Sequence, residues 1–123
     1  MADVIFPDTR ESLLPFSPAV IVGDLVFISG QASVSAEGQI IDGSFEEEMH
    51  RAMENLRGVL SGCKLDLSAV VQTRNYVRDA ENLPLFNQIY RQYFKPPYPA
   101  RTSLSNCLGR LKFEIDAIAV IRR

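Results

Sequence analysis

The sequence FEIDAIAV occupies residues 113–120, within a predicted β-strand from Leu111 to Ile121. Successive side chains of a strand point to opposite faces of a sheet, so residues two apart share a face. One face of this strand is wholly apolar: Phe113, Ile115, Ala117, Ala119 and Ile121. We expect that face to pack beneath helices.

The opposite face of the same strand mixes charged and apolar residues: Lys112, Glu114, Asp116, Ile118 and Val120. Exposed apolar sheet surface usually meets a partner. We therefore expect a homo-oligomer in which uncovered sheet faces meet, with any polar site at the rim between subunits. A solvated face on a monomer is the alternative.

Two hairpins are predicted upstream. Ala19–Val22 and Leu25–Ser29 flank the two-residue turn Gly23-Asp24, where glycine adopts positive φ without steric cost. Gln31–Val34 and Gln39–Ile41 flank a second turn-like cluster and predict another hairpin.

Two helices are also predicted. Ser44 opens the first with a capping box, Ser44-Phe45-Glu46-Glu47, and Gly62 ends it. The second covers Asn82–Lys95, with Asn82 as its cap. Pro96-Pro97 stops it.

The remaining predicted strands are Val70–Val77 and a short one near Arg101–Leu104. Strands, helix, strand, helix and strands follow one another without a linker or an internal repeat. This order predicts one α+β domain over residues 1–123, a mixed sheet with both helices on one face.

Composition excludes several classes of function. The 123 residues carry 13 basic and 15 acidic side chains, a net charge of −2, whereas proteins that neutralise phosphates carry a basic excess. Cys63 and Cys107 are too few for a disulfide framework, and with the single His50 they form no metal-ligand pattern. The apolar region Ala19–Ile28 is too short to span a membrane. Because Met1 to Arg10 does not read as a secretory signal, we expect a reducing, cytoplasmic setting.

Two residues have the chemistry of a small-molecule site. Arg101 follows the rigid Pro99-Ala100 pair, and its planar guanidinium can hold a carboxylate through two parallel hydrogen bonds. Glu114 can act as a general acid or base, or orient a water molecule. Taken singly, each is more often a structural ion-pairing residue.

Several segments together resemble the RidA/YjgF family of reactive intermediate deaminases, formerly named endoribonuclease L-PSP. They are Phe27-Ile28-Ser29-Gly30-Gln31, Asn87 with Tyr90, Pro99-Ala100-Arg101, and Phe113–Val120. The resemblance spans nearly the whole chain, in order and with compatible spacing.

The resemblance implies a chorismate mutase-like fold, a homotrimer, and active sites in clefts between subunits. It implies hydrolysis of 2-imino acids, as by a 2-iminobutanoate/2-iminopropanoate deaminase, to 2-oxo acids and ammonia. An imine carbon is already electrophilic, so we expect no metal and no cofactor. The expected partners are a small 2-imino acid and further copies of the chain, and neither a membrane nor a nucleic acid.

By position, the resemblance assigns Arg101 to the substrate carboxylate and Glu114 to the attacking water. The other implied site positions are Phe16, Ser29, Gly30, Asn87, Tyr90 and Ser103. Phe16 and Ser103 depart from the family pattern, which commonly has Tyr and often Cys there, and the segment Ser105–Arg110 is shorter. The lost hydroxyl at Phe16 predicts a more apolar pocket that accepts a bulkier side chain.

Other functions stay open at this stage. A non-catalytic trimer that binds small carboxylates or acts as a chaperone would also use Arg101. A pathway-specific deaminase, such as one acting on an aminomuconate, is a further alternative. A ribonuclease is disfavoured, because general acid/base cleavage of RNA draws on His or Lys groups and this acidic chain has one His.

Overall fold

The computed structural model describes residues 3–7 and 13–122. Its described part contains one six-stranded sheet in the order β1-β2-β3-β6-β4-β5. The strands are β1 (Val4–Ile5), β2 (Ala19–Val22), β3 (Leu25–Ala32), β4 (Val70–Val77), β5 (Ala100–Ser105) and β6 (Phe113–Val120). Neighbouring strands are antiparallel except β4 and β5, which run parallel, so the sheet is mixed as predicted.

Both helices, α1 (Phe45–Gly62) and α2 (Leu83–Tyr93), pack on one face of this sheet. Phe113 of β6 contacts both, with ring centroids 5.9 Å from Phe45 and 5.8 Å from Phe86. The apolar face predicted for β6 is buried from Phe113 to Ala119, whereas Glu114 and its alternate neighbours stay partly exposed. The predicted α+β arrangement is therefore confirmed.

The first helix begins as its sequence predicts. The Ser44 hydroxyl accepts a hydrogen bond from the Glu47 amide at 3.1 Å, and the Glu47 carboxylate accepts one from the Ser44 amide at 2.9 Å. The helix ends at Gly62, as predicted. Ser44 and Glu47, which are three positions apart, thus satisfy two backbone amides at the start of the helix. The start of this helix is therefore a local property of the sequence.

A buried carboxylate ties this helix to β6. Glu48 is fully buried, and it accepts hydrogen bonds from the Lys112 amide at 3.0 Å and the Lys112 ammonium at 3.2 Å. It also accepts one from the Gly43 amide at 3.3 Å. The first turn of α1 therefore holds the start of the strand that carries Glu114.

The first predicted hairpin is confirmed, with Gly23 at φ 61° in its turn. The second is wrong in extent: β3 continues to Ala32, and beyond it only Val34 and Ile40 form an isolated bridge. The Asn55 side-chain amide donates to the carbonyls of Ala32 and Val34, at 2.8 and 3.1 Å. The Gln39–Ile41 segment pairs instead through Ser33 and Ser35: the Ile41 amide donates to the Ser33 carbonyl at 2.9 Å, and the Ser35 amide donates to the Gln39 carbonyl at 2.8 Å.

Other differences lie at element ends. The two-residue β1 was not predicted, because it is too short to show an alternating pattern. Asn82 makes no capping hydrogen bond, since a 3₁₀ turn over Ala80–Asn82 leads into α2. α2 ends at Tyr93 because Phe94 is already extended. No helix among the described residues is long and apolar enough to cross a membrane.

Candidate active site

Arg101 lies on the helix-covered side of β5. It pairs in parallel register with Thr73, which in turn pairs with the buried Ala117, and paired residues share a face. Its guanidinium carbon lies 5.0 Å from the ring centroids of both Phe86 and Tyr90 of α2. Among the described residues Arg101 has no carboxylate partner, so its hydrogen-bond donors are available to a ligand.

A buried polar network supports the ring on which Arg101 stacks. The Tyr90 hydroxyl lies 2.8 Å from the Thr73 hydroxyl, which accepts a hydrogen bond from the Asn75 amide at 3.0 Å. That amide also donates to the Thr102 carbonyl at 3.2 Å. Burial raises the pKa of Tyr90. Its hydroxyl therefore stays a neutral hydrogen-bonding group that fixes the ring.

The guanidinium of Arg101 opens onto a pocket of about 290 Å³ between α2, the segment before β5, and β5 itself. The lining residues are Asn87, Tyr90, Arg91, Tyr98, Pro99 and Arg101. Three of the predicted site positions, Asn87, Tyr90 and Arg101, are thus brought together. Ser103 lies two residues further along the same side of β5, paired with Asn75, and does not line this pocket.

Glu114 lies on the opposite, uncovered side of the sheet. Its side chain is partly buried against the Gly30 backbone: a Cβ on Gly30 would come 2.4 Å from Glu114 Oε2. Burial raises the pKa of Glu114 above its usual range, and the nearby charge of Asp116 raises it further. A carboxyl group whose pKa moves toward neutrality is better suited to accept and return a proton.

The Glu114 carboxyl borders a cleft of about 700 Å³. Phe16, Ser29 and Gly30, all predicted site positions, line this cleft with Glu114, and the Ser29 hydroxyl donates to the Ser17 carbonyl at 2.6 Å. Much of the remaining lining is apolar: Leu13, Leu14, Pro18, Val34, Val59 and Leu111. The more apolar pocket predicted from Phe16 stays a prediction, because Glu37, Glu54 and Asn55 also line this cleft.

The predicted site residues therefore form two groups. Arg101, Asn87 and Tyr90 share the pocket on the helix side, whereas Glu114 lies with the second group on the other side. Within one chain, the sheet lies between Arg101, which is predicted to bind the substrate carboxylate, and Glu114, which is predicted to act on the attacking water. A single substrate can reach both only if the second group comes from another copy of the chain.

Sequence reasoning missed Phe86, Thr73 and Asn75, which position Arg101 without a recognisable motif. His50 is partly buried, and its ring nitrogen is hydrogen-bonded to the Tyr93 hydroxyl. Within residues 3–7 and 13–122, no three His, Cys, Asp or Glu side chains form a group able to hold a metal ion.

Comparison with known proteins gives the family. The model of the endoribonuclease L-PSP family matches residues 8–121. The chain belongs to this family. The resemblance to RidA/YjgF proteins is therefore confirmed.

Relatives of the chain agree with that assignment. It is 33% identical over 109 residues to the human 2-iminobutanoate/2-iminopropanoate deaminase, covering 86% of this chain and 80% of that protein. It is 31% identical over 121 residues to a RutC family protein of Pyrococcus abyssi, covering 95% of each. The crystal structure of RidA from an Antarctic Psychrobacter superposes with a TM-score of 0.82 at 25% identity, covering 92% of this chain and 94% of that one.

Proposed function

We propose that this L-PSP family protein is a deaminase that hydrolyses 2-imino acids to 2-oxo acids and ammonia. The observation that carries the proposal is the unpaired guanidinium of Arg101, stacked on two aromatic rings and open to a pocket. A planar guanidinium held in this way matches the two oxygens of a carboxylate. The deaminase named among the relatives acts, by its name, on 2-imino acids, which carry such a group.

Arg101 fixes the substrate by its carboxylate. The two rings hold the guanidinium by cation–π contact, so little side-chain freedom is lost when the substrate binds. The neighbouring C2 of the imino acid is then presented in a fixed place. Holding reactants in a near-attack geometry contributes about 7–11 kcal/mol in favourable cases, which suits a reaction that needs no covalent nucleophile.

Glu114 carries the proton. Its carboxylate takes a proton from water while the water oxygen bonds to C2, and the C=N double bond becomes a single bond to an amino group. The imine enters in its protonated form, and Glu114 then returns the proton taken from water to that nitrogen. The C–N bond breaks as Glu114 takes the remaining proton of the C2 hydroxyl, so the C2–oxygen bond becomes a carbonyl. Ammonia leaves and accepts that last proton as ammonium, which restores the Glu114 carboxylate. The raised pKa of Glu114 makes these transfers easier near neutral pH.

The complete site is formed between copies of the chain. Because Arg101 and Glu114 lie on opposite faces of one sheet, a neighbouring copy must bring its Glu114 cleft to the Arg101 pocket. The uncovered face carries exposed apolar residues suited to such contact, among them Leu25 and Phe27, each 42% exposed, and Leu104 at 49%. We propose that this assembly is a homotrimer of chorismate mutase-like domains in the cytoplasm.

A complementation experiment tests the proposal. Arg101→Gln and Glu114→Gln are made separately, and imines generated by an amino acid oxidase are trapped with semicarbazide, so that hydrolysis appears as lost semicarbazone. We expect each variant to lose about 100-fold of the activity, since each loses charge-assisted hydrogen bonds. The two variants are then co-expressed and mixed oligomers are purified.

In a mixed oligomer some sites combine an intact Arg101 from one copy with an intact Glu114 from its neighbour. Random assembly of a cyclic oligomer gives about a quarter of such sites, so about a quarter of wild-type activity should return. Active wild type without recovery in the mixture would overturn the shared site. An inactive wild type that still binds 2-oxo acids would favour the non-catalytic binding protein.

A further inference from the structure

The pocket that holds Arg101 contains a second arginine. Arg91 lies one turn after Asn87 on α2, so the two share a helix face, and both line the pocket with Arg101. None of the lining residues is acidic. The pocket of about 290 Å³ thus places two guanidinium groups around one space with no counter-charge in its wall.

Four other arginines are neutralised by a neighbouring carboxylate. Arg57, Arg74, Arg78 and Arg110 each hold a carboxylate oxygen at 3.0 Å or less. Across residues 3–7 and 13–122, Arg91 has no such ion pair. In a protein of net charge −2, an acid-free pocket with two guanidiniums is a local concentration of positive charge that attracts anions.

Each of the two guanidiniums can hold a carboxylate of its own. Arg101 is held by Phe86 and Tyr90 and takes the carboxylate that every 2-imino acid carries. Arg91 is exposed on α2, so its guanidinium group is open to a second hydrogen-bond acceptor of the ligand. An anion with acceptor oxygens at both ends fits the pair, whereas an apolar side chain would leave Arg91 without a partner.

We propose that Arg91 is a specificity residue that selects 2-imino acids with an acidic side chain. The proposal rests on the proposed function in one respect, that Arg101 holds the first carboxylate. The distal carboxylate then lies at Arg91, and Asn87, one turn before Arg91 on α2 and also in the pocket lining, offers a side-chain amide. Within one copy of the chain, this pocket is separate from the cleft beside Glu114, where Phe16 had predicted a preference for bulky apolar side chains.

The test uses two stable 2-oxo acids, one with and one without a distal carboxylate, so that it does not depend on catalysis. Calorimetry measures the affinity of 2-oxoglutarate and of 2-oxohexanoate, which has similar length and lacks the distal charge. We expect wild type to bind 2-oxoglutarate at least about tenfold more tightly, a preference that falls as ionic strength rises. Arg91→Gln should abolish the preference and leave the affinity for 2-oxohexanoate unchanged within about twofold.

Arg122→Gln is the matched control, because Arg122 is also exposed, has no ion pair among the described residues and lies outside the pocket. It should keep the wild-type preference. Arg91→Lys retains the positive charge but lacks the planar guanidinium group, so it should keep only part of the preference for 2-oxoglutarate.

Equal affinities in wild type, or a preference that survives in Arg91→Gln, would overturn the role of Arg91. Dissociation of the oligomer in Arg91→Gln, seen by light scattering, would show instead that Arg91 pairs with a neighbouring copy. A kinetic arm compares imines made from glutamate and from methionine. If neither imine is hydrolysed while the binding preference holds, the deaminase proposal fails and the specificity of the pocket stands.

Discussion

Substitution of Gly30 by alanine tests whether the Glu114 carboxyl group acts from the position that it has in the structure. An alanine there puts its Cβ 2.4 Å from Glu114 Oε2 and 2.9 Å from the carboxyl carbon. Ordinary contact begins near 3.4 Å, so the carboxyl group must retreat by about 1 Å. A misplacement of that size can cost about 100-fold in rate, because attack geometry is lost.

The fold should tolerate this substitution. The atoms in the way belong to the end of a flexible side chain, and no positive φ is recorded at Gly30 that would strain an alanine. We therefore expect Gly30→Ala to lower kcat/KM for imine hydrolysis by about 100-fold, while the urea midpoint of unfolding changes little. Gly109→Ala is the control, since a Cβ there meets nothing within 4 Å.

A double variant sharpens the test. Shortening the side chain with Glu114→Asp withdraws the carboxyl group by itself, so adding Gly30→Ala should cost little more, and the two effects should be far from additive. Wild-type kcat/KM in Gly30→Ala, or full additivity in the double variant, would refute the reasoning that the Glu114 carboxyl acts from its position against Gly30.

Two further outcomes follow from the charged groups near the site. Glu48→Ala leaves the Lys112 amide and ammonium without their buried acceptor, so we expect a loss of about 3 kcal/mol in the free energy of unfolding by urea, against less than about 1 for the exposed Glu54→Ala. Asp116→Asn removes a charge that raises the pKa of Glu114, so the acid limb of the kcat/KM profile should move to lower pH. As the pH falls below the pKa of Glu114, the carboxylate is protonated and can no longer act as a base, so kcat/KM falls. A lower pKa therefore moves this loss to lower pH. An unmoved limb would show that Glu114 is not the titrating group.

Elements defined by neighbouring residues were predictable from sequence. The Ser44 capping box joins residues three apart, and the Gly23-Asp24 turn joins adjacent strands, so both are set by short-range hydrogen bonds and by the conformations open to glycine. The alternation around Phe113 likewise identified which face of β6 the helices cover. Val70–Val77 was predicted as a strand with the same bounds that the structure has.

Residues joined only by strand pairing or packing were not predictable in this way. Nothing near Arg101 in sequence says which face of the sheet it occupies, because that depends on its register with Thr73 on a strand far along the chain. A slip of one residue would have reversed the face. The second predicted hairpin is reduced to the isolated bridge between Val34 and Ile40, and Asn55 of a distant helix binds the carbonyls of Ala32 and Val34.

The sequence alone therefore determined both helices, most of the strands, the covered face of the last strand and the residue types of the candidate site. Local hydrogen bonds and side-chain periodicity carry that information within a few positions. Only the tertiary structure placed Arg101 and Glu114 on opposite sides of the sheet, stacked Arg101 on Phe86 and Tyr90, and set Arg91 in the same pocket. Those relations depend on strand register and helix packing between distant parts of the chain, which no short segment encodes.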